Sequence, residues 1–186
     1  MTPLPGREGA ADVITLRDGQ AGEFEAELGP LLTEAVRLAT AMLLNAVEAE
    51  DAVQDACVRA WRSRANRREG TALRPWFLGI VANQCREARR GRWWRVMRVA
   101  EPQAIPARRD DAAAVIDLRG ALARLPYRRR LVLVLRYYLD LSFEDVASTA
   151  GCSVDAAKAL VRRGTADLER ALSAPRADQW PMTITT

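Results

Sequence analysis

Apolar residues recur at helical spacing along most of the 186-residue chain, between stretches rich in proline, glycine and charge. The helical spacing of apolar residues begins near Glu23. It is interrupted at Gly29-Pro30 and resumes in a second helix that ends at a turn marked by Asn45. The next helix carries small or apolar residues on one side, at positions i, i+3, i+4, i+7 and i+8. These residues are Val53, Ala56, Cys57, Ala60 and Trp61.

A polar stretch that ends in Gly70 separates this helix from another, which begins near Pro75 and runs to about Arg90. Residues 99–113 then contain two prolines, mixed charge and few large apolar groups. This composition is typical of a flexible linker, because nothing in it supports a packed helical face. The linker divides the helical pattern into two parts.

The part beyond the linker consists of short helical segments separated at Pro126 and at a turn on Gly151. No stretch of the sequence shows the period-two alternation of a strand over a useful length. We therefore expect an all-α protein of two small helical domains joined by a flexible linker, the second domain being a helix-turn-helix. The expected divisions are a mobile tail at 1–20, domains at 21–98 and 114–173, and an irregular tail at 174–186.

The helix-turn-helix prediction depends on the spacing of small and apolar residues around the Gly151 turn. Ala147 allows two helices to cross closely, Gly151 follows four residues later, and Leu160 anchors the second helix. An apolar seam on the second helix faces inward, so other side chains project toward a DNA groove. The outward set is Asp155, Lys158, Ala159 and Arg162, with Arg163 beside them.

The net charge of +4 conceals a strong polarity along the chain. Residues 1–55 carry eleven acidic residues and three arginines, a net charge of −8, so the remainder carries +12. Such a split favours a nucleic-acid partner for the basic part. Arginine supplies 27 of the 28 basic residues. This bias suits bidentate phosphate contacts, although genome base composition explains it equally well.

Histidine is absent, which excludes His-based acid–base catalysis, the common nucleophilic triads and most zinc sites. Cys57, Cys85 and Cys152 form no CxxC pair, so we expect buried reduced thiols rather than a metal site or a disulfide. No phosphate-cradling glycine loop is present. The sequence therefore points away from an enzyme and indicates no catalytic residue, cofactor or metal.

The sequence also shows no targeting or membrane-spanning segment. No apolar run approaches the roughly 18 residues needed to cross a bilayer, and the N-terminus lacks the basic-then-apolar layout of a secretory signal. We therefore expect a cytoplasmic protein with no membrane partner.

The helix that begins near Pro75 leads into the most basic stretch of the chain. Arg86–Arg98 holds six arginines, one glutamate and an adjacent pair of tryptophans. Arginine neutralises phosphate, and a flat ring stacks on an unpaired base with roughly 1–3 kcal/mol. Clustered arginines would repel one another without a polyanion. We therefore expect this stretch to bind opened DNA, whereas Trp76, Phe77 and Ile80 serve mainly as core.

The helix around Val53 carries carboxylates and an amide opposite its apolar residues. Asp51, Gln54, Asp55 and Val58 share this side, because residues three and four positions apart lie on one helical face. A solvated face is the ordinary interpretation of such a stripe. Here the stripe is acidic and precedes a strongly basic helix, which favours a docking surface for another protein.

Three of these motifs resemble a known family. Residues 49–61, AEDAVQDACVRAW, resemble the polymerase-docking segment of bacterial sigma factors. Residues 125–153 resemble the start of the domain that reads the −35 promoter element. A third motif is similar to the promoter-melting, −10-reading helix of the extracytoplasmic-function class. Its residues are Trp76, Phe77, Ile80, Asn83, Glu87 and Arg90. The resemblance covers roughly residues 23–172.

The resemblance implies a promoter-specificity subunit whose partners are promoter DNA and core RNA polymerase, through the clamp helices of the largest subunit and the flap. The implied clamp contacts are Asp51, Gln54, Asp55 and Val58. The implied −10 contacts are Trp76, Asn83, Arg86, Arg89 and Arg90, and the loop Ala65–Leu73 helps to hold a flipped base. The implied −35 contacts are Lys158, Ala159, Arg162 and Arg163.

The chain departs from the family pattern in its last helix and in the melting helix. Lys158-Ala159-Leu160 stands where relatives carry a Lys-Ser-Arg-like run, Gly164 replaces a better helix former, and Glu87 replaces an aspartate. The sequence leaves open whether an anti-sigma factor binds the chain. The competing interpretation is a stand-alone dimeric helix-turn-helix regulator, which would leave the acidic and arginine-rich helices unused.

Overall fold

The computed structural model describes residues 22–68, 70–96 and 113–173, with the backbone alone at 92–96 and 113–116. All regular structure within these ranges is helical, which confirms the all-α prediction. The α-helices are residues 22–28 (α1), Leu32–Leu43 (α2), Ala46–Ser63 (α3), Leu73–Val96 (α4), Ala113–Arg124 (α5), Tyr127–Leu133 (α6), Phe143–Ala150 (α7) and Val154–Ser173 (α8). Gly29–Leu31 and Arg64–Asn66 form 3-10 turns, and Val134–Tyr138 forms a π-helical segment.

The helices begin and end close to their expected limits, with three differences. α4 continues to Val96 rather than ending near Arg90, and α5 already starts at Ala113, within the expected linker. The sequence pattern also did not predict that the chain changes from α to π geometry at Val134. The expected tails and the rest of the linker lie outside the described residues.

Side-chain capping and one glycine set the ends of the functional helices. Asn45 accepts a hydrogen bond from the Glu48 amide at 3.1 Å and so begins α3. Ser142 accepts one from the Asp145 amide, also at 3.1 Å, and begins α7. Gly151 ends α7 with φ of +63°, a left-handed conformation that glycine adopts without a steric penalty.

The first domain packs α2, α3 and α4 around side chains that are fully withdrawn from solvent. Leu38 and Met42 of α2 lie in this core with Phe77 and Val81 of α4. Phe24 of α1 closes one end. Its ring centroid lies 6.1 Å from that of Trp61 and 6.4 Å from that of Trp76. Trp76 therefore packs partly into this domain, as the sequence pattern indicated.

The second domain packs α5–α8 around Val132, Leu135 and Val146, which are fully buried. Gly164 is buried where α8 crosses α6, and a Cβ at this position would meet the Leu133 side chain at 3.1–3.2 Å. The glycine that looked unfavourable for helix formation thus permits a close crossing of two helices.

The two domains share one continuous hydrophobic core, which the sequence pattern did not predict. α4 packs along α7, and the end of α2 lies against α6 and the π-helical segment. Gly79 marks the crossing of α4 and α7, since a Cβ there would lie 3.3 Å from the carbonyl oxygen of Thr149. The expected pair of helical domains is present, and the two are packed against each other.

Candidate polymerase and promoter interfaces

α3 exposes the carboxylate and amide side chains expected at a docking face. Its opposite side is buried, through Ala49, Ala52, Val53, Ala56 and Ala60. Because the buried residues recur every three or four positions, Asp51, Gln54, Asp55 and Val58 are left together in solvent. Val58 is 49% exposed, so the face combines acidic groups with an uncovered apolar side chain. We call these four residues the docking face.

The docking face continues into a shallow cleft between α3 and α4. Glu48, Asp51 and Asp55 line the cleft from α3, and Gln84 and Glu87 line it from α4. Sequence reasoning had not placed Glu48 or Gln84 at this surface. The sequence spacing could have placed Glu48 here. It lies three positions before Asp51 and seven before Asp55, so it shares their helical face.

Ion pairing connects the two walls of this cleft only loosely. Arg59 of α3 and Glu87 of α4 approach to 3.9 Å, with both side chains more than half exposed. A pair so exposed contributes little to stability. Glu87 is therefore exposed on the cleft wall and only weakly held by Arg59.

The residues expected to read the −10 element divide into an exposed and a packed group. Asn83, Arg86 and Arg90 are exposed on α4, and the Arg86 guanidinium donates to the Asn83 side-chain oxygen at 3.0 Å. Trp76 is half-buried against Phe24. Arg89 is also half-buried, with its guanidinium carbon 5.5 Å from the centre of the Tyr127 ring.

The arginine-rich continuation of α4 remains helical to Val96. The side chains of the tryptophan pair and of Arg92 and Arg95 lie outside the described residues, as does Arg98. Within the expected loop Ala65–Leu73, Gly70 has φ of +80°. Just before the loop, the Arg64 guanidinium stacks on Trp61 at 3.8 Å and donates to its carbonyl at 2.7 Å. This contact fixes the start of the loop against α3.

α7 and α8 form the expected helix-turn-helix around Gly151. Lys158, Arg162 and Arg163 are exposed on α8, and Ala159 is half-buried beside them. The Lys158 ammonium lies 5.8 Å from the centre of the Phe143 ring, so α7 supports its position. The basic side chains expected to meet the −35 element are therefore presented to solvent on one helix.

Comparison with known proteins identifies the family. Residues 28–95 match the family Sigma-70 region 2, and residues 116–168 match Sigma-70, region 4. CarQ of Myxococcus xanthus is 30% identical over 161 residues, which cover 84% of this chain and 92% of CarQ. The chain belongs to the sigma-70 family of RNA polymerase sigma factors. Its relatives place it in the extracytoplasmic-function class.

Two further comparisons agree with this assignment of the sigma factor. SigV of Bacillus subtilis (strain 168) is 28% identical over 128 residues, or 68% of this chain and 77% of SigV. One chain from the structure of the sigma factor RpoE in complex with the anti-sigma factor NepR from Bartonella quintana superposes with a TM-score of 0.68. It is 26% identical, and the match covers 83% of this chain and 99% of that chain. The alternative of a stand-alone regulator is not favoured.

The cysteines of the sigma factor are free thiols, but only one is fully buried. Cys85 lies in the core of the first domain, and burial raises its pKa to about 12. Cys57 and Cys152 are half-buried, so the expectation of three buried thiols was wrong for these two. In the described ranges, no cluster of three or more His, Cys, Asp or Glu could hold a metal ion. No helix there is long and apolar enough to cross a membrane.

Proposed function

We propose that α3 is the helix by which this sigma factor binds core RNA polymerase. Asp51, Gln54, Asp55 and Val58 would contact the clamp helices of the largest subunit. The observation that carries this proposal is that all four side chains are exposed together, while the other side of α3 is buried. The cleft residues Glu48 and Glu87 extend the same negative surface. A basic helical partner would neutralise this surface on docking.

The proposal assigns α4 to the −10 element, with Trp76, Asn83, Arg86, Arg89 and Arg90 as contacts. Arg86 and Arg90 would neutralise phosphates, and Asn83 offers an amide that can bond a base edge. The bond between Arg86 and Asn83 holds the amide and a phosphate-binding group together. Capture of an unstacked base at this surface would offset the few kcal/mol needed to unpair it.

The second domain is proposed to read the −35 element through α8. Lys158, Arg162 and Arg163, with the small Ala159 between them, would enter the major groove, where a recognition helix meets base edges and phosphates. This domain is also the proposed contact for the polymerase flap. The proposed domain limits remain 21–98 and 114–173. Polymerase supplies the chemistry, and this chain acts in the cytoplasm without a catalytic residue of its own.

An anti-sigma factor is proposed as a further partner of this chain. The support is the match across both domains to RpoE, which was solved with the anti-sigma factor NepR. Such a partner would act by covering faces that this chain otherwise offers to polymerase or promoter. This proposal would be supported if a small protein co-purifies with the chain from the native host and if its removal raises transcription by the chain with core polymerase. A chain that transcribes fully when purified from that host would argue against it.

The docking assignment is tested by replacing Asp51, Gln54 and Asp55 with alanine together. We expect the dissociation constant for core polymerase to rise at least tenfold, because the variant loses three proposed contacts with the clamp helices. The helical circular dichroism should stay unchanged, because all three side chains are exposed in the free chain. Glu25→Ala/Glu27→Ala removes two equally exposed carboxylates from α1 and is the matched control. Unchanged affinity in the triple variant would rule out this face as the docking site.

The promoter-reading role is tested by sequencing transcripts that core polymerase makes from genomic DNA with and without this chain. A common upstream motif at −10 and −35 among transcripts that need the chain is the expected result. Those promoters then serve as probes for the variants of α4 and α8. Transcripts that begin at random, with or without the chain, would refute promoter specificity.

A further inference from the structure

Asp155 is an acidic side chain among the basic ones that α8 exposes to solvent. Positions 155, 158, 159 and 162 share one side of the helix, because they lie three or four residues apart. The opposite side is buried, through Ala157, Val161 and Gly164. The proposed contacts with the −35 element use the cations of this side and leave Asp155 without a role.

The first turn of α8 fixes the direction of Asp155. The side-chain oxygen of Ser153 accepts a hydrogen bond from the Ala156 amide at 3.2 Å, and the Ser153 carbonyl accepts one from the Ala157 amide at 2.9 Å. Ala157 is fully buried, so this turn is anchored in the second domain on the side away from Asp155. The exposed carboxylate lies at the N-terminal end of the helix, where a recognition helix meets base edges.

The Asp155 carboxylate is not neutralised by its neighbours. Within the described residues it forms no hydrogen bond and no ion pair. The Lys158 ammonium, one turn further along, lies 5.8 Å from the centre of the Phe143 ring on α7. The ordinary explanation of an acid in a first turn is the positive end of the helix dipole. That effect favours the free helix, but it leaves a negative charge facing a polyanion when α8 binds DNA.

The chemistry of the major groove restricts what a carboxylate can contact there. A carboxylate accepts hydrogen bonds and donates none, so it needs an amino group on the base edge. Guanine presents two acceptors, and thymine presents an acceptor and a methyl group. Adenine presents its amino group beside the N7 acceptor, which would repel the second carboxylate oxygen. Cytosine presents its N4 amino group with no acceptor on the same base edge, and it is therefore the base that suits Asp155.

We infer that Asp155 is a specificity-determining residue, whose carboxylate accepts a hydrogen bond from the N4 amino group of a cytosine in the −35 element. The inference rests on the proposed −35 role of α8 and adds the identity of one base to it. Lys158 and Arg162 supply attraction to the duplex. Asp155 reduces binding to every sequence that lacks an amino group at its position, because its charge then stays desolvated and unpaired.

Binding to a set of substituted promoters tests this assignment. The starting promoter is one found by transcript sequencing, and each base pair of its −35 element is replaced in turn by the other three. Dissociation constants for core polymerase that carries the wild-type chain or a variant are measured by fluorescence anisotropy. For the wild type, one position should prefer cytosine over the other three bases by at least fivefold, the range expected when one base contact is lost.

Two substitutions of Asp155 should change this preference in different ways. Asp155→Ala should reduce it to within about twofold and leave the preferences at the other positions as they are. Asp155→Asn should replace it with a preference for adenine, because an amide can bond both N6 and N7 of that base. Glu169→Gln is the matched control. It removes an exposed carboxylate about four turns further along α8 and should leave every preference as in the wild type.

The base-by-base profile separates a reading role from a structural one. An Asp155→Ala profile identical to the wild type would overturn the inference, as would an equal loss of affinity for every sequence. Loss of a preference for any base other than cytosine would overturn the proposed hydrogen bond. A wild-type chain that prefers no base at any −35 position would instead count against the proposed role of α8. Helical circular dichroism of each variant should match the wild type, because Asp155 is exposed.

Discussion

Arg74 donates two hydrogen bonds to the carboxylate of Glu34, through Nε at 2.9 Å and through Nη2 at 2.5 Å. The same Nη2 donates to the carbonyl of Leu139 at 3.1 Å, so the pair joins α2 and α4 to the second domain. The hydrogen bond with Glu34 is the main cause that raises the pKa of Arg74. The Glu34 side chain is only 19% exposed, which makes this contact more than a surface ion pair.

Replacing Glu34 with glutamine should lower the free energy of unfolding by about 1–2 kcal/mol. The variant keeps the shape of the site but removes the anion that faces Arg74, and the partial exposure of Arg74 limits the loss. Urea unfolding measures the change. Asp140→Asn is the matched control, because Asp140 is 95% exposed and its φ of +50° suits asparagine equally well. An equal loss in both variants would contradict a special role for the Glu34 pair.

Two helical glycines should respond to alanine in opposite directions. Gly164→Ala places a methyl group 3.1–3.2 Å from the Leu133 side chain, and the cost of overpacking should exceed the gain in helix propensity. We expect a loss of about 1 kcal/mol. Gly120→Ala has no heavy atom within 4 Å of its new methyl group and should gain up to about 1 kcal/mol. Thermal unfolding of the two variants measures both changes in stability. A more stable Gly164→Ala variant would show that the Leu133 side chain moves aside without cost.

Much of the fold follows from local sequence signals. The cap at Asn45 and the turn at Gly151 could be placed because their chemistry acts over a few residues. The packing between the two domains could not be predicted in this way. The hydrogen bond from Tyr127 to the Ala82 carbonyl, for example, joins positions 45 residues apart. Nor does helical periodicity reveal the π-helical segment at Val134–Tyr138, because its apolar residues fit an α-helix as well.

The exposure of most of the candidate contacts was predictable from the sequence. The docking face and the cations Lys158 and Arg162 are exposed because their helices bury the opposite side, which the apolar spacing shows. Arg89 was expected among the exposed cations, yet it packs against Tyr127 of the other domain. Only the tertiary contact distinguishes it from Arg90, since both belong to the same arginine-rich run.

Arg162→Ala should weaken binding to a duplex that carries the −35 element and should reduce the slope of log affinity against log salt by about 1. The side chain is exposed on α8, so its removal costs no core packing. Fluorescence anisotropy over a series of salt concentrations measures the slope. Arg119→Ala removes an exposed arginine from α5 and should leave the slope as in the wild type. An unaltered slope for Arg162→Ala would show that this side chain does not contact phosphate.

The stability of the chain should fall as the pH rises above about 9, because of Cys85. Burial raises the pKa of this thiol to about 12, and burial also raises the pKa of Tyr127. Between the two thiol pKa values the unfolded chain loses the proton that the folded chain keeps, so the folded state binds more protons. The free energy of unfolding then decreases with pH, by at most about 1.4 kcal/mol per unit from Cys85.

Urea unfolding of the wild type and of Cys85→Ala between about pH 8 and 11 measures this contribution. The variant should be less stable near pH 8 because it leaves a cavity, and its stability should decline less steeply with pH. The difference between the two curves reports the thiol together with its electrostatic effect on Tyr127. Parallel curves would mean that Cys85 titrates alike in the folded and unfolded chains, which would contradict its enclosure in the core of the first domain.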